Sequence, residues 1–544
     1  MLSTMPHTPL RIRRLLEHGA TRHGTAQVTT ATETGVVSAS YADVAQNAAR
    51  LARALRDLGV HRGDRVATLM WNNQQHLEAY YAVPTMGAVL HPLNFRLPPD
   101  VIAHIANQAE DRVVIVDASV LPMFEGLLPM LRTVRHVIVN GEDADRPSAR
   151  RVSWHGYAEL IASQPAVYPW PDLHEDQAAA VCYTTGTTGA PKGVVYSHRS
   201  VYLHATSVSL PGHFALSHAE RMLAVVPQFH VLAWGLPYAA FLTGMQLAMP
   251  GRFLAAQPLV DFIGAVRPTK AAGVPTVWQS VLDHIAADPA RHAEICSLQE
   301  IVVGGSACPP SLMRAYEERH GILMLHAWGM TETSPLGSIS RPPADVDSAA
   351  AWRYRLSQGR FAAEVEARLI GAHGEPLAHD GQTVGELEVR GPWVTASYFK
   401  DQGEDKFHDG WLRTGDVGSI TADGYLTITD RLKDVIKSGG EWISSIELEN
   451  LLMTHQDVLE AAVIGVPDEK WGERPLAVVV PRDQHAPVDT AALRDHLAEL
   501  LPSWQVPRLW AVVGSLPKTS VGKFDKVALR ELHAKGALET SAAA

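Results

Sequence analysis

Two hydrophobic patterns alternate along most of the chain. In residues 41–59, YADVAQNAARLARALRDLG, apolar positions recur every three to four residues, as they do in an amphipathic helix. Short aliphatic runs such as RVATLM (65–70) and RVVIVDAS (112–119) have the length and composition of buried strands. Helices that alternate with strands are typical of βαβ units and a parallel sheet. The pattern therefore predicts an α/β protein.

The pattern changes in the last third of the chain. Residues 385–430 contain strand-like GELEVRG and GYLTITD with turns at HDG and ADG, which predict a small β subdomain. A helix, two strands, a helix and a strand follow, an α+β order of domain size. With 544 residues, more than one core is expected. We predict a large N-terminal domain of mixed and parallel sheets with helices (1–429), a boundary at DRLKD (430–434) and a smaller α+β C-terminal domain (435–544).

Composition narrows the function classes. The formal net charge is −11, with 47 basic and 58 acidic residues, so the chain has no field that would attract nucleic acid. Cys182, Cys296 and Cys308 lie far apart without metal-ligand spacing. They are expected to be ordinary buried thiols in a reducing compartment. Anionic ligands must therefore be held by local groups.

Two segments share features with membrane spans or targeting signals. Residues 222–251 contain no charged side chain, but Pro227, Pro237 and Pro250 interrupt any continuous apolar helix. Buried interior beside an apolar pocket is favoured there, and no transmembrane segment is expected. The N-terminal PLRIRRLLEHG (9–19) lacks a secretory pattern and is interpreted as a first helix rather than an organellar transit segment. We therefore expect a cytoplasmic location.

The strongest local signal is YTTGTTGAPKG (183–193), which follows the strand-like AAAVC. Threonine hydroxyls and backbone N–H groups concentrated after a strand suit the wrapping of phosphate oxygens, and Lys192 adds positive charge. Pro191 stands where a Walker P-loop requires its second glycine. The segment predicts a phosphate-binding loop of another kind.

This loop resembles the phosphate-binding signature of the adenylate-forming superfamily, which contains acyl-CoA synthetases, luciferases and peptide-synthetase adenylation domains. Further signatures of that superfamily follow in the expected order, and the resemblance covers nearly the whole chain. It implies ATP, Mg²⁺ and coenzyme A as ligands and a two-step reaction through an acyl-adenylate. The matching segments are HAWGMTETSP (326–335), GWLRTGDVG (410–418), DRLKDVIKSGGEWIS (430–444) and LPKTSVGKFDK (516–526).

The resemblance also implies roles for individual residues at the nucleotide. Glu332 and Thr185 are expected at Mg²⁺, Asp416 and Arg431 at the ribose, and Trp328, where the family usually has tyrosine, on the adenine. The triphosphate would be held by Thr184, Thr185, Gly186, Thr187, Thr188 and Lys192, and the turns bordering base and acyl group are Gly304, Gly305, Ser306, His326, Ala327, Trp328, Gly329, Met330 and Thr331.

The C-terminal motifs are implied to serve the two half-reactions. Lys523 matches the lysine that bridges the substrate carboxylate and the α-phosphate, and Lys433 matches the pivot about which the C-terminal domain rotates. One loop would meet nucleotide in one pose and the pantetheine channel in the other; it contains Lys437, Ser438, Gly439, Gly440 and Trp442.

The motifs define the carboxylic acid substrate less well than they define the reaction. VPQFHVLAWGLPY (226–238) resembles the acyl-pocket segment of medium- and long-chain fatty acyl-CoA synthetases, with His230 and Trp234 beside the acid and Gly304 and Gly329 at its carboxylate end. Trp234 is either a gate of the acyl tunnel or a packed core residue. A neutral apolar acid is implied, and a medium-chain fatty acid is favoured over the alternatives of a short sulfur-containing acid such as methylmercaptopropionate or an aryl acid.

Two other functions stay open at this stage. One is an adenylating enzyme that loads a carrier protein, and the other is an inactive adenylate-binding sensor. KSGGEWIS favours coenzyme A over a carrier, and intact Lys523 and Glu332 argue against the sensor. Similar bacterial synthetases are often homodimers, so a homodimer is an expectation as well.

Overall fold

The computed structural model describes residue 1 and residues 3–141, 152–184, 190–371, 373–400, 403–439, 441–483, 488–519 and 523–542. The predicted alternation of helices and strands is present through the N-terminal part. The helices are α1 Ile12–Arg22, α2 Tyr41–Asp57, α3 Gln74–Thr85, α4 Pro99–Ala109, α5 Leu121–Leu127, α6 Tyr157–Ala162, α7 His198–Ser209, α8 Leu236–Thr243, α9 Ala256–Val266, α10 Pro275–Ala287, α11 His292–Ile295, α12 Pro310–His320, α13 Ser348–Leu356, α14 Ser445–Leu452, α15 Thr490–Ala498 and α16 Lys526–Ala534.

The strands are also numbered in chain order. They are β1 Gln27–Thr32, β2 Gly35–Ser40, β3 Arg65–Leu69, β4 Val89–Pro92, β5 Asp111–Asp117, β6 His136–Asn140, β7 Ser153–Gly156, β8 Ala178–Thr184, β9 Lys192–Ser197, β10 Arg221–Ala224, β11 Gln246–Met249, β12 Lys270–Gly273, β13 Glu300–Gly304, β14 Leu323–Gly329, β15 Leu336–Ile339, β16 Gly359–Phe361, β17 Glu366–Ile370, β18 Gly385–Arg390, β19 Phe407–His408, β20 Trp411–Ile420, β21 Tyr425–Arg431, β22 Ile436–Ser438, β23 Glu441–Ile443, β24 Val458–Asp468, β25 Gly472–Pro481, β26 Leu509–Val512 and β27 Thr540–Ala542.

A seven-stranded sheet has the order β7-β6-β5-β3-β4-β8-β9. All neighbouring pairs are parallel except β8 and β9. Because β3 lies between β4 and β5, the chain winds outward in both directions from this point. Such a switch point opens a crevice beyond the carboxyl ends of the central strands.

A second, larger sheet has the order β17-β18-β20-β21-β16-β15-β14-β13-β12-β10-β11-β1-β2, with β19 on β20. Its centre, from β11 to β14, is parallel, and the strands from β15 to β21 are antiparallel. The strand-rich region near residue 400 therefore lies at one end of this sheet. The parallel centre again brings strand carboxyl ends to one edge, where Gly304 and Gly329 end β13 and β14.

A separate sheet forms the C-terminal part. Its order is β23-β22-β25-β26-β27, with β24 on β25, and α14 and α15 pack on it through a core that includes Leu448, Leu493 and Trp510. The chain passes from the large sheet to this one between β21 and β22, within the segment predicted as the hinge. A small C-terminal domain after a large α/β domain is thus confirmed, and rotation about residues 430–434 stays a prediction.

Hydrogen bonds join the two domains beside this segment. Asp430, at the end of the large sheet, is buried and accepts from the backbone N–H of Ser445 at 2.6 Å and from its hydroxyl at 2.5 Å. Lys526 donates to the same hydroxyl at 2.6 Å and pairs with Glu449 at 2.7 Å. These contacts hold the C-terminal domain in one orientation.

The uncharged segment 222–251 is interior structure, as the sequence analysis expects. It contains β10, α8 and β11, and most of its residues are buried in the core. Within the described residues, none of the helices combines the length and apolar character that crossing a membrane requires.

Candidate active site

A cavity of about 1060 Å³ lies where the carboxyl ends of β8, β13 and β14 meet the C-terminal domain. Residues from five separate sequence motifs line it, although up to 340 positions separate them along the chain, from 183 to 523. The predicted site residues that line the cavity are Thr184, Lys192, His230, Trp234, Gly304, Gly305, Ser306, His326, Ala327, Trp328, Gly329, Met330, Thr331, Glu332, Asp416, Arg431, Lys433 and Lys523.

One end of the cavity is the stem of the predicted phosphate loop. Thr184 and Lys192 face each other across the antiparallel pair β8 and β9, so the strands bring both ends of the loop together. The Lys192 ammonium lies 5.1 Å from the ring centroid of Tyr398, a cation–π distance. The predicted phosphate ligands Thr185, Gly186, Thr187 and Thr188 lie outside the described residues.

Glu332 lies in a short turn, 331–333, directly after β14 and is 6% exposed. The Tyr398 hydroxyl donates to its Oε1 at 2.6 Å, and its backbone carbonyl accepts from Thr395 at 2.8 Å. Burial raises the pKa of Glu332, while the hydrogen bond from Tyr398 and the charges of Arg431 and Lys406 act in the opposite direction. Glu332 thus places a carboxylate held by Tyr398 in the wall of the cavity, and a carboxylate is a ligand type that can hold a divalent cation.

Asp416 connects two of the predicted nucleotide residues. It lies opposite Arg431 in the register of β20 and β21, and the Arg431 Nε lies 2.7 Å from its Oδ1. The indole Nε1 of Trp328 donates to the other oxygen, Oδ2, at 2.8 Å. Asp416 also raises the pKa of Arg431, which therefore stays cationic. The carboxylate is fixed from both sides and keeps lone pairs for a ligand hydroxyl.

Three glycines lie beside these side chains, at or next to the carboxyl ends of β13 and β14. A Cβ on Gly329 would lie 1.9 Å from the Pro335 carbonyl oxygen, so no other residue fits there. Gly304 is closed in by the Ala327 carbonyl and the Trp234 ring, at 2.9 and 3.1 Å from a built Cβ. Gly305 has φ +86°, a left-handed conformation that glycine adopts without strain. Packing of the protein against itself therefore requires glycine at 304 and 329, and backbone conformation favours it at 305.

Lys523 enters the cavity from the C-terminal domain. Its side-chain Cε would lie 3.6 Å from a Cβ built on Gly305. Thr519 anchors it through backbone and hydroxyl hydrogen bonds of 2.7 and 3.2 Å. Burial and then the charge of Arg431 lower the pKa of Lys523 to about 8, against the opposing effect of Asp416 and Glu332. The ammonium form predominates at neutral pH and is lost as pH rises through about 8.

The other end of the cavity is apolar. Trp234 is 6% exposed and covers Gly304, and the wall continues past Val208 and Phe214. The four residues 231–234 have φ between +34° and +56°, a left-handed turn of non-glycine residues that costs roughly 1–2 kcal/mol per residue. Burial lowers the pKa of His230 to about 3, with the charge of Lys523 adding to the effect, so its imidazole is neutral.

The predicted loop at residues 437–442 is not at the cavity in this orientation of the domains. It forms the β22–β23 hairpin, in which Lys437 faces Trp442, and Trp442 is 41% exposed. Ser438 accepts a hydrogen bond of 3.3 Å from Arg474, and the Gly439 N–H donates to Trp471 at 2.8 Å. Gly440 lies outside the described residues.

Sequence reasoning missed Tyr398. Its hydroxyl is the bonded partner of Glu332 and its ring faces Lys192, so it contacts two of the predicted phosphate-end residues. It lies in TASYFK, which contains no pattern that marks a site. Only the distance in space between residues 332 and 398 could have identified it.

The fold and the cavity define a class of protein before any relative is considered. A two-domain α/β chain contributes a lysine from its small domain to a cavity that is bordered by the two ends of a threonine-rich segment and has a buried carboxylate and apolar lining residues. This is the arrangement expected of an enzyme that joins a nucleotide to an apolar carboxylic acid.

Comparison with known proteins identifies the family. The AMP-binding enzyme family matches residues 16–399, and the AMP-binding enzyme C-terminal domain matches residues 447–523. The chain belongs to this family of adenylate-forming enzymes.

Full-length relatives are CoA ligases by name. The chain is 44% identical to 3-methylmercaptopropionyl-CoA ligase of Ruegeria pomeroyi, with 98% of each chain covered. It is 40% identical to the medium-chain-fatty-acid–CoA ligase of Ectopseudomonas oleovorans, with 99% of each covered. These relatives place the chain among the acyl-CoA ligases of the family.

A solved structure confirms the fold. The anthranilate CoA ligase AuaEII in complex with anthranoyl-AMP superposes with a TM-score of 0.87 at 26% identity, covering 99% of this chain and 100% of that one.

Proposed function

We propose that this chain is an ATP- and Mg²⁺-dependent, AMP-forming acyl-CoA ligase for an apolar carboxylic acid, with medium-chain fatty acids as the first candidates. One observation carries the proposal. A single cavity runs from Lys523, Glu332 and Asp416 at its polar end to an uncharged wall at Trp234. A nucleotide and an apolar acid can therefore meet there with the carboxylate beside Lys523.

The nucleotide has a separate set of residues for each part. Trp328 offers a ring for the adenine, and Asp416 with Arg431 takes the ribose hydroxyls. His326 supports the glycine turn, because its Nε2 lies 3.2 Å from the Ser306 carbonyl oxygen. Thr184, Lys192 and the loop residues 185–188 hold the triphosphate.

The residues at the phosphate end fit a divalent cation. Glu332 supplies a carboxylate that Tyr398 orients, and Thr185 is proposed to supply a hydroxyl, the hard oxygen donors that Mg²⁺ prefers. Bound there, Mg²⁺ would neutralise negative charge on the nucleotide phosphates.

The first half-reaction needs positioning more than proton transfer. An oxygen of the ionised acid attacks the α-phosphorus, a C–O–P anhydride forms, and the bond to pyrophosphate breaks. The Lys523 ammonium lies where it can hold the attacking carboxylate against the α-phosphate. Neutral His230 borders the acid carboxylate without adding charge.

The second half-reaction uses the same adenylate and a different partner. The sulfur of coenzyme A attacks the acyl carbon, a thioester forms, and AMP leaves. In the present orientation Lys523 occupies the cavity and the 437–442 hairpin does not, which supports this orientation for the first step. Rotation about Lys433 would then exchange Lys523 for Lys437, Ser438, Gly439, Gly440 and Trp442.

The wall composition supports an apolar acid. Cys182, Val208, Phe214 and Trp234 line the cavity and are uncharged, so they suit an apolar acyl chain. A short sulfur-containing acid is the second candidate, favoured by the relative that is named a 3-methylmercaptopropionyl-CoA ligase.

The test is a ligase screen with purified protein. Linear acids from two to eighteen carbons, 3-methylmercaptopropionate and benzoate are incubated with ATP and Mg²⁺, with and without coenzyme A, and AMP and thioester are quantified. A maximum among medium chains supports the proposal, and a maximum at 3-methylmercaptopropionate selects the second candidate. Pyrophosphate release that coenzyme A does not stimulate would favour the loading of a carrier protein.

Location and assembly complete the proposal. All three cysteines are free thiols, which supports action in the cytoplasm; Cys182 and Cys308 are buried as expected, whereas Cys296 is exposed, so that expectation was wrong for Cys296. A homodimer is proposed from the family resemblance, and light scattering on the purified protein measures it directly.

A further inference from the structure

The segment that forms the acyl end of the cavity is held from the opposite sheet. Residues 224–230 connect β10 to the left-handed turn at 231–234, and they pack against the residues that follow β3. Because β3 is the central strand at the switch point of the seven-stranded sheet, its carboxyl end projects into this crevice. The contact between the two sheets therefore lies directly behind the acyl wall.

Asn72 makes three hydrogen bonds to this segment with its side chain alone. Its Nδ2 donates to the carbonyls of Ala224 and Val226, each at 2.7 Å, and its Oδ1 accepts from the N–H of Gln228 at 2.7 Å. Asn72 is 4% exposed and Gln228 is fully buried. An amide group at this position pairs three backbone groups that no water can reach.

Two neighbours complete the attachment. The Tyr80 hydroxyl donates to the Gln228 carbonyl, and the backbone N–H of Asn73 donates to the Gln228 side chain at 3.2 Å. The next residues, Phe229 and His230, line the cavity. The segment is thus fixed immediately before it turns into the acyl wall.

The left-handed turn explains why this attachment affects the position of Trp234. Residues 231–234 occupy a conformation that non-glycine residues leave unless the surroundings determine it. If the segment before the turn is released, the turn can relax, and Trp234 shifts away from Gly304. The geometry points to Asn72 as a positioning residue that sets chain-length specificity, without contacting acid or nucleotide. This inference rests on the proposed acyl-CoA ligase function.

The adjacent residue provides a matched control. Asn73 caps α3 by accepting from the His76 N–H at 2.8 Å, and its Nδ2 donates to Asp117 at 2.9 Å. Its bond to Gln228 uses the backbone and survives substitution. Asn73→Ala therefore removes buried hydrogen bonds from the same turn but leaves the acyl segment attached.

The experiment compares wild type, Asn72→Ala, Asn73→Ala and Tyr80→Phe. Loss of buried hydrogen bonds should weaken the dependence of kcat/KM on acid chain length. The kcat/KM of the best acid, divided by that of an acid longer by two carbons, should fall about fivefold or more. This is expected for Asn72→Ala and, more weakly, for Tyr80→Phe. KM for ATP should change less than about twofold in both. Asn73→Ala should lower the melting temperature and keep the wild-type profile.

Hydrogen exchange gives a second readout that needs no activity. Asn72→Ala and Tyr80→Phe should accelerate exchange in peptides covering 224–236, whereas Asn73→Ala should accelerate it at the start of α3. If the wild type makes no thioester from any acid, the proposed function fails and the exchange data still test the attachment. Wild-type exchange at 224–236 in Asn72→Ala and Tyr80→Phe, or a change there equal to that in Asn73→Ala, overturns the inference. An unchanged acid profile in an active Asn72→Ala enzyme also overturns it.

Discussion

Replacing Lys523 should separate the two half-reactions. Its ammonium lies in the cavity near the charges of Arg431, Asp416 and Glu332, and its backbone is anchored by Thr519 of the same loop. Removal of one such transition-state contact typically costs about 10²–10³ in rate. We expect Lys523→Ala to lose adenylate formation by that factor and to convert a supplied acyl-adenylate to thioester at nearly the wild-type rate.

The pH dependence follows from the same geometry. Because the pKa of Lys523 is lowered to about 8 and the cation is the active form, adenylation should be fully supported below that pH and lost above it. The kcat/KM for ATP reports the free enzyme and should fall as pH rises through about 8. Bound phosphates favour the ammonium, so the fall in kcat should occur at higher pH.

The assay is pyrophosphate release in the absence of coenzyme A, recorded between pH 6 and pH 10, together with thioester formation from synthetic acyl-AMP. Lys535→Ala is the matched control, since this exposed lysine of the same domain contacts only Glu531 at 3.4 Å among the described pairs. Equal losses in both half-reactions would contradict the assignment of Lys523. A fall in kcat/KM at the same pH in Lys523→Ala would assign the titration to another group.

Three further substitutions test other parts of the site. Lys433→Pro fixes φ near −65°, so it should trap one domain orientation and spare only the half-reaction that this orientation serves. Lys433→Ala should keep nearly wild-type activity. Full turnover by the proline variant would refute a pivot at this residue. Trp234→Ala should raise kcat/KM for longer acids relative to shorter ones, since each buried CH₂ is worth about 0.8 kcal/mol. An unchanged chain-length profile with a stability loss of about 3–5 kcal/mol would show that Trp234 is a core residue. Tyr398→Phe should raise the Mg²⁺ concentration needed for half-maximal adenylation and weaken Mn²⁺ binding measured by calorimetry, with Tyr425→Phe as control; unchanged binding would show that Glu332 needs no support from Tyr398.

Much of the polar site could be predicted because its residues belong to motifs. Glu332, Asp416, Arg431 and Lys523 come from four separate segments, and the resemblance brings them together before any coordinates are known. The register of β20 and β21 then explains why Asp416 and Arg431 meet. Physical reasoning from the residues alone reached only the phosphate loop, where hydroxyls and glycines are adjacent in sequence.

The resemblance marks His230 and Trp234, but the contacts that hold their segment in place could not be predicted in the same way. Asn72 and Gln228 are 156 positions apart, and neither belongs to a local pattern. The left-handed turn at 231–234 contains no glycine before Gly235, so propensity gives no sign of it. Its conformation depends on packing between two sheets, a property of the assembled fold.

The contact between the domains is suited to being broken and remade. Asp430 accepts two hydrogen bonds from Ser445 across the boundary, and Lys526 connects the same Ser445 hydroxyl to Glu449 within the C-terminal domain. On opening, a hydrogen bond to a charged group exchanges its protein partner for water at a net cost of about 1.5–3 kcal/mol, whereas an apolar contact loses its whole burial energy. Burial raises the pKa of Asp430, so its carboxylate is held at a desolvation cost in this orientation. Under the proposed rotation, we expect a boundary built this way to hold Lys523 in place for the first step and to release it for the second.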